Sequence, residues 1–450
     1  MQTTLLAFLL TTPLLAAETP NLLFIIADDC TYRDLGCYGG QAHTPNIDRL
    51  AKQGMRFTRC FQAAPMCSPT RHNIYTGLYP VKSGAYPNHT FVKDGVKSVV
   101  NYLKPAGYRV ALSGKTHIGP RKAFRFEYSG KKNPDMDAID KLFADSARSN
   151  TPFCMFACSN EPHSPWDKGD ASKYPPEKIK LPPYFVDTPQ TRQAMSKYLA
   201  EITYFDGQVG QCLEMLEKHK LADNTLVMVM SEQGSGLPFA KWTCYDSGLQ
   251  STCIVRWPGH VKPGSETNAM IEYVDVLPTF LDAAGVDIPE ILDGRSFVSV
   301  LEGKTNKHKS HVYGIHTTRG IINGSETFGI RSVRSEKFKL IRNLSPDVKF
   351  TNACSQGIVF KSWKQAAAAG THPDAADKVK RYHHRPALEL FDITKDPLEW
   401  NNLADDPAFA KVKTELSAKL ETWMKSQGDE GQTTELDAYE HQAKWARKNK

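Results

Sequence analysis

Two apolar runs, one closed by a pair of acids and the other by an acid and an amide, limit what this chain can fold into more than any other feature. Residues 21–29 read NLLFIIADD and residues 225–233 read TLVMVMSEQ. A strand with one face in water alternates apolar and polar residues, whereas a run without alternation is buried on both faces, as in the middle of a parallel sheet. Helical patterns lie between the two runs. TPNIDRLAKQG (44–54) has the period and closing glycine of a helix, and AMSKYLAEITYFDGQVGQCLEMLEKHK (194–220) is a long amphipathic one. SVVNYLKPAGYRVALSGKTHIG (98–119) reads as helix, turn, strand and loop. Strand and helix alternation of this kind predicts an α/β domain with a mainly parallel central sheet flanked by helices.

The texture changes beyond about residue 325. FGIRSVRSEKFKLIRNL (328–344) alternates like two half-buried antiparallel strands around a turn at Ser335 to Lys337. Residues 355–386 suggest a helix and loop insertion, and ALELFDITKDPLEWNNLADDP (387–407) a strand, a turn and a helix start. We therefore expect a large domain over 18–325 and a smaller C-terminal α+β domain with an antiparallel sheet over 326–450. The last twenty residues are highly charged and expected to be an exposed helix or tail.

Residues 3–17 form an apolar stretch too short to span a bilayer and ending in small residues, the pattern of a signal peptide (1–17) cut near Ala16 or Ala17. It predicts an exported protein, periplasmic or secreted, or lysosomal in a eukaryote; no other stretch suggests a membrane span. The formal charge is +7, but the lysines and arginines are scattered rather than blocked, which argues against a nucleic-acid partner. Ten cysteines occur without a CxxC pair, so neither a zinc site nor a redox motif is indicated.

In open α/β sheets, ligands bind beyond the carboxyl ends of the strands. Asp28, Asp29, Glu232 and Gln233 all fall at such ends, and their oxygens suit Ca2+ or Mg2+ rather than zinc. Taken alone, Asp29 could equally cap a helix and Glu232 could pair with a lysine. PMCSPTRHNIYTG (65–77) sets Cys67 at the mouth of a helix, whose free N–H groups and positive dipole end point toward an anion. Arg71, one turn in, can grip an oxyanion with two hydrogen bonds. Lys115 and His117 in GKTHIG, His163 in NEPHSPW and Lys241 in FAKWTCYD follow other predicted strands or lie in loops. Singly each is an ordinary surface lysine or satisfied histidine. Together with a divalent cation they describe a site for a tetrahedral oxyanion.

These motifs make the chain resemble the formylglycine-dependent type I sulfatases of the alkaline phosphatase superfamily. CSPTR matches the family signature Cys/Ser-x-Pro-x-Arg, followed by the family's Thr-Gly at Thr76 and Gly77. TPNIDRLAKQGMRFT matches the segment before that signature, GYRVALSGKTHIG resembles the Lys-x-His motif, and LELFDITKDPLEWNNLA resembles the C-terminal signature. GKTHIGP, YPNHT and GIHTTRG look most like sulfamidase-type and related glycan sulfatases.

The resemblance implies an alkaline-phosphatase-like large domain and oxidation of Cys67 to formylglycine by a maturation enzyme. The hydrated aldehyde would then be the nucleophile. Asp28, Asp29, Glu232 and Gln233 would hold Ca2+ (or Mg2+) with the modified Cys67. Arg71, Lys115 and Lys241 would grip the aldehyde and sulfate oxygens, His163 would protonate the leaving group, and His117 would take a proton so that sulfate departs. His72, Asn88, His89, His316 and Arg319 become candidate contacts to a sulfated oligosaccharide or polysaccharide. The chain departs from the family in one block, SEQG replacing Ser-Asp-His/Asn-Gly, so that Glu232 and Gln233 differ in reach from the usual ligands. A phosphodiesterase or phosphonate monoester hydrolase is the rival enzyme reading. A catalytically silent glycan-binding relative is the other alternative, and the intact acids, Cys67, Arg71 and both lysines speak against it.

Overall fold

The runs read as doubly buried are the two middle strands of the larger sheet. In the computed structural model, which describes residues 19–442, every residue of β1 (Asn21–Ala27) is buried. The expected signal peptide lies outside the described residues. The same sheet contains β2 (Met55–Phe61), β3 (Arg109–Gly114), β4 (Glu127–Ser129) and β5 (Phe153–Cys158). It is completed by β6 (Thr225–Ser231), β7 (Gln250–Arg256), β8 (Ser265–Thr267) and β9 (Ile271–Glu272). The order is β4-β3-β5-β1-β6-β7-β2-β8, with β9 also against β2. β4 through β6 run parallel, and β7 is antiparallel to both of its neighbours.

Helices cover both faces of this sheet, so the apolar side chains of β1 divide between two cores. Leu23 and Ile25 face one that includes the long helix Pro189–Lys218; Leu22, Phe24 and Ile26 face the other. This is the doubly covered parallel sheet that the unbroken apolar runs require. Helix α1 (Pro45–Gln53) lies on the first face and packs against the long helix. Helix α2 (Cys67–Thr76) is buried at every residue and stops at Gly77, whose φ of 65° a side chain would resist.

The second sheet is antiparallel, in the order β10 (Val312–His316), β11 (Ile330–Arg334), β12 (Phe338–Asn343) and β13 (Leu388–Asp392). The hairpin turning at Ser335 to Lys337 forms as expected, with Ser332 opposite Ile341. The sheet begins earlier than the boundary expected at 326, because β10 pairs with β11 from Val312 to His316. The helices Ile358–Ala369 and Ala375–His383 form the expected insertion.

The expected exposed helix or tail is corrected in part over its described residues: the helix Gln432–Asp437 forms and exposes Leu436, but its other side is buried. Glu435 is fully buried, and its Oε1 accepts a 2.9 Å bond from Arg331 Nη1, while Asp429 also pairs with Arg331. A charged side chain in the interior requires such partners, so local charge density was a poor guide to exposure. Glu435→Ala is expected to cost about 2 kcal/mol in a denaturant titration, less than an isolated buried pair because Asp429 keeps its hold on Arg331. An unchanged unfolding midpoint would contradict this.

Candidate active site

Adjacent strands deliver the site. β3, β5, β1 and β6 are consecutive neighbours, and all end on the same side of the sheet. Ala27 is level with Ser231, and the Glu232 amide donates to the Ala27 carbonyl at 2.9 Å. That register sets the pair Asp28 and Asp29 beside the pair Glu232 and Gln233. Lys115 leaves the end of β3 with its amide bonded to the Cys158 carbonyl at 2.9 Å, and His163 follows β5.

Cys67 is the first residue of α2, almost fully buried at the bottom of a cleft of about 520 Å3. Ligand atoms of Asp28, Cys67 and Glu232 lie within 4.8 Å of one another. Glu232 Oε2 and Gln233 Oε1 have no hydrogen-bond partner, and Glu232 Oε1 meets only the Arg71 guanidinium. Buried acceptors without donors are costly unless something else satisfies them, and a hard divalent cation suits this oxygen-rich set. Gln233 Nε2 meanwhile bridges Asp29 Oδ1 at 2.6 Å and Asp28 Oδ1 at 3.3 Å. The donor set therefore fits Ca2+ or Mg2+.

Positive groups close around these acids. Lys241 Nζ donates to both oxygens of Asp29 at 2.7 Å, and Lys115 Nζ pairs with Asp28. Arg71 Nε lies 2.5 Å from Glu232 Oε1, and its Nη1 donates to the Lys115 carbonyl at 2.7 Å. Arg71 Nη2 is buried without a partner, a donor available to an anion. Burial opposes ionisation of Asp29, but Lys241 and His163 outweigh it and hold its carboxyl below the usual range. Burial brings the Lys115 ammonium down to about 8 and pushes the Cys67 thiol up to about 12. An unmodified Cys67 is thus a thiol, not a thiolate, at neutral pH.

Three histidines reach the cleft. His163 Nδ1 is 2.6 Å from the Ser164 carbonyl, which can only accept, so Nδ1 carries the hydrogen and Nε2 the lone pair. That Nε2 is 3.7 Å from Asp29 Oδ2. Asp29 raises the imidazole's basicity, yet burial with Lys241 and Lys115 brings it down to about 4. His117 Nε2 meets His89 Nδ1 at 2.8 Å, and His117 Nδ1 is buried without a partner. Asn88 also lines the cleft, and its carbonyl accepts from Gln442 Nε2 at 3.1 Å.

The remaining expected sugar contacts do not reach this space. His72 is fully buried, with Nδ1 2.7 Å from the Ser68 carbonyl and Nε2 beside Gly119; burial lowers it to about 4, and it braces α2 against the loop carrying His117. His316 is the last residue of β10 and is fully buried, because the GIHTTRG segment begins inside a strand. Arg319 lies over the Tyr439 ring at 4.4 Å and is not part of the cleft lining. Sequence reasoning missed the opposite wall, which includes Leu237, Trp242, Ile321, Cys354 and Val359. Only Trp166 and Trp242, close to His163 and Lys241 in sequence, offered a signal.

A model of the sulfatase family matches residues 20–286, and one described as N-sulphoglucosamine sulphohydrolase, C-terminal, matches residues 235–350. The chain is 35% identical over 425 residues to an ulvan-active sulfatase of Formosa agariphila, covering 92% of this chain and 81% of that one. It is 25% identical to the N-sulphoglucosamine sulphohydrolase of Homo sapiens, covering 93% of this chain and 92% of that one. A protein solved in complex with its substrate D-glucosamine-2-N,6-O-disulfate shares the fold at a TM-score of 0.70 and 21% identity, over 92% of this chain and 99% of that one.

Proposed function

Because the chain belongs to the sulfatase family, we propose that it removes sulfate from a sulfated carbohydrate by means of a formylglycine made from Cys67 and a bound Ca2+, with Mg2+ as the alternative ion. The observation that carries this reading is the meeting of Cys67 with Asp28 and Glu232 at the start of a buried helix, under the cations Arg71, Lys115 and Lys241. Hydrated formylglycine supplies the oxygen nucleophile and the cation supplies positive charge against sulfate.

The protein's own groups do the rest. Arg71 Nη2, together with Lys115 and Lys241, holds the sulfate oxygens as negative charge shifts among them. His163, neutral at pH 7, becomes more basic when an anion binds nearby, since a negative charge favours imidazolium. Its Nε2 then gives a proton to the leaving oxygen. His117 takes up the compensating proton as sulfate leaves, and the contact with His89 passes it onward. Ester and water become alcohol and sulfate, with the protons balanced between the two imidazoles. A maturation enzyme is the implied partner, and residues 3–17 support export. No described helix is long and apolar enough to cross a membrane.

The test is sulfate release from defined sulfated sugars by protein co-produced with a maturation enzyme, beside matched phosphate esters. Faster turnover of the phosphates would favour the phosphodiesterase reading, and no turnover of either the binding-only one. His163→Ala is expected to slow sugar sulfates by about 10^2- to 10^4-fold in kcat, and an activated aryl sulfate far less, because a phenolate leaves without a proton. Equal losses on both would make His163 a binding residue.

A further inference from the structure

Two isoleucines stand open at the mouth of the cleft, Ile322 at 74% and Ile358 at 72% exposure. Ile358 opens the helix Ile358–Ala369, a first-turn position where water must reach the free N–H groups and a polar residue would serve better. Large exposed apolar side chains lining a binding cleft are informative where isolated ones are not. Below them the wall continues in carbon. Leu237, Ile321 and Val359 line it, and Trp166 joins them through its ring alone, because its Nε1–H is donated to the Pro162 carbonyl at 2.8 Å.

Charge is confined to the far end. Among the described residues the lining contains one lysine and no arginine, beside the imidazoles of His89, His117 and His163. That lysine, Lys241, is held by Asp29 beside Cys67, and Arg319 is occupied over Tyr439. A second anionic group on the ligand would lose water against the isoleucine wall and meet no cationic side chain there among the described residues, which disfavours binding. A sugar ring with a nonpolar C–H edge would instead cover the wall and remove apolar surface from water.

We propose that this cleft selects sulfate esters whose sugar is otherwise uncharged and turns a nonpolar edge toward Ile322 and Ile358, and that it discriminates against uronates and multiply sulfated units. The inference rests on the sulfatase reading above for where the sulfate sits. It makes the C-terminal insertion, through Ile358 and Val359, a specificity element for chemistry performed by the larger sheet.

The decisive ligands are three monosulfated methyl glycosides alike in sulfate position, carrying CH3, CH2OH or COO− on C5. Calorimetric binding to Ca2+-loaded Cys67→Ala protein gives a readout that needs no turnover. The CH3 and CH2OH members should bind at least about 100-fold more tightly than the carboxylate, and kcat/KM of the matured enzyme should follow the same order. Ile358→Ser should raise KM for the neutral members by about 10-fold with kcat nearly constant, and Ile358→Arg should narrow the gap to the carboxylate by about as much. Equal or tighter binding of the carboxylate overturns the inference and leaves the sulfatase reading standing. The expected binding order without sulfate release from any member sinks the reaction and keeps the specificity. Failure of all three to bind overturns both.

Discussion

Replacing Cys67 by alanine is expected to abolish sulfate release, by at least about 10^4-fold in kcat, while leaving the protein folded. The side chain is small and buried at the first position of α2, and the helix is held by other atoms. Thr70 Oγ1 donates to the Ala64 carbonyl at 2.8 Å, Ser68 Oγ to the His117 carbonyl at 2.9 Å, and Arg71 to the Lys115 carbonyl. Losing one buried sulfur should therefore cost roughly 1 kcal/mol. Kinetics on an aryl sulfate, paired with a denaturant titration and mass analysis of the peptide carrying residue 67, checks the expectation. A cysteine serving only as core packing would give the opposite pattern, lost stability with retained turnover. All ten cysteines are free, so no disulfide competes for this one.

The second large effect is expected from Glu232→Gln, which keeps nearly the same shape and removes one charge. Glu232 is buried with Oε1 against Arg71 and Oε2 without a partner. Two consequences should appear together. Arg71 is left buried beside a neutral amide, and breaking a buried pair in this way costs about 3–5 kcal/mol. The proposed cation would also lose a charged ligand. In the parent protein, Ca2+ at 100 times its dissociation constant should add about 2.7 kcal/mol of stability, because it binds the folded state alone. In the variant that increment should largely vanish. Unfolding midpoints measured with Ca2+ and with chelator, on both proteins, separate the two terms. An undiminished Ca2+ response in Glu232→Gln would remove Glu232 from the ligand set, and stoichiometric zinc in the purified protein would overturn the oxygen-ligand assignment.

The motif residues were legible because their surroundings are local. Asp28 follows a run with no polar interruption, so it had to stand where a buried strand ends. Cys67 precedes Pro69 and Arg71 within one turn, so helix start, thiol and cation share one short stretch. The departure SEQG was legible too, but not its consequence. The longer Glu232 side chain meets both Arg71 and the Asp28–Cys67 group, which follows from the register of β6 on β1.

The sugar side was not legible in the same way. His72, His316 and Arg319 are polar residues in suggestive motifs, yet His72 and His316 are sealed in the interior and Arg319 is covered by Tyr439. A histidine's type says nothing about which neighbours from distant segments will pack over it. The start of the second sheet at β10 was hidden for a related reason: five residues including a glycine carry too little alternation to mark a strand without their partner β11.

What the sequence by itself determined is therefore the doubly covered sheet, the cysteine at a helix start and the charged groups at the strand ends, since apolar runs and helix-start motifs encode burial and direction within a few residues. What only the tertiary structure decided is the cleft wall. Ile322, Ile358 and Trp166 come from segments far apart in the chain, and whether an apolar side chain ends up in the core or facing a ligand depends on what long-range packing leaves uncovered.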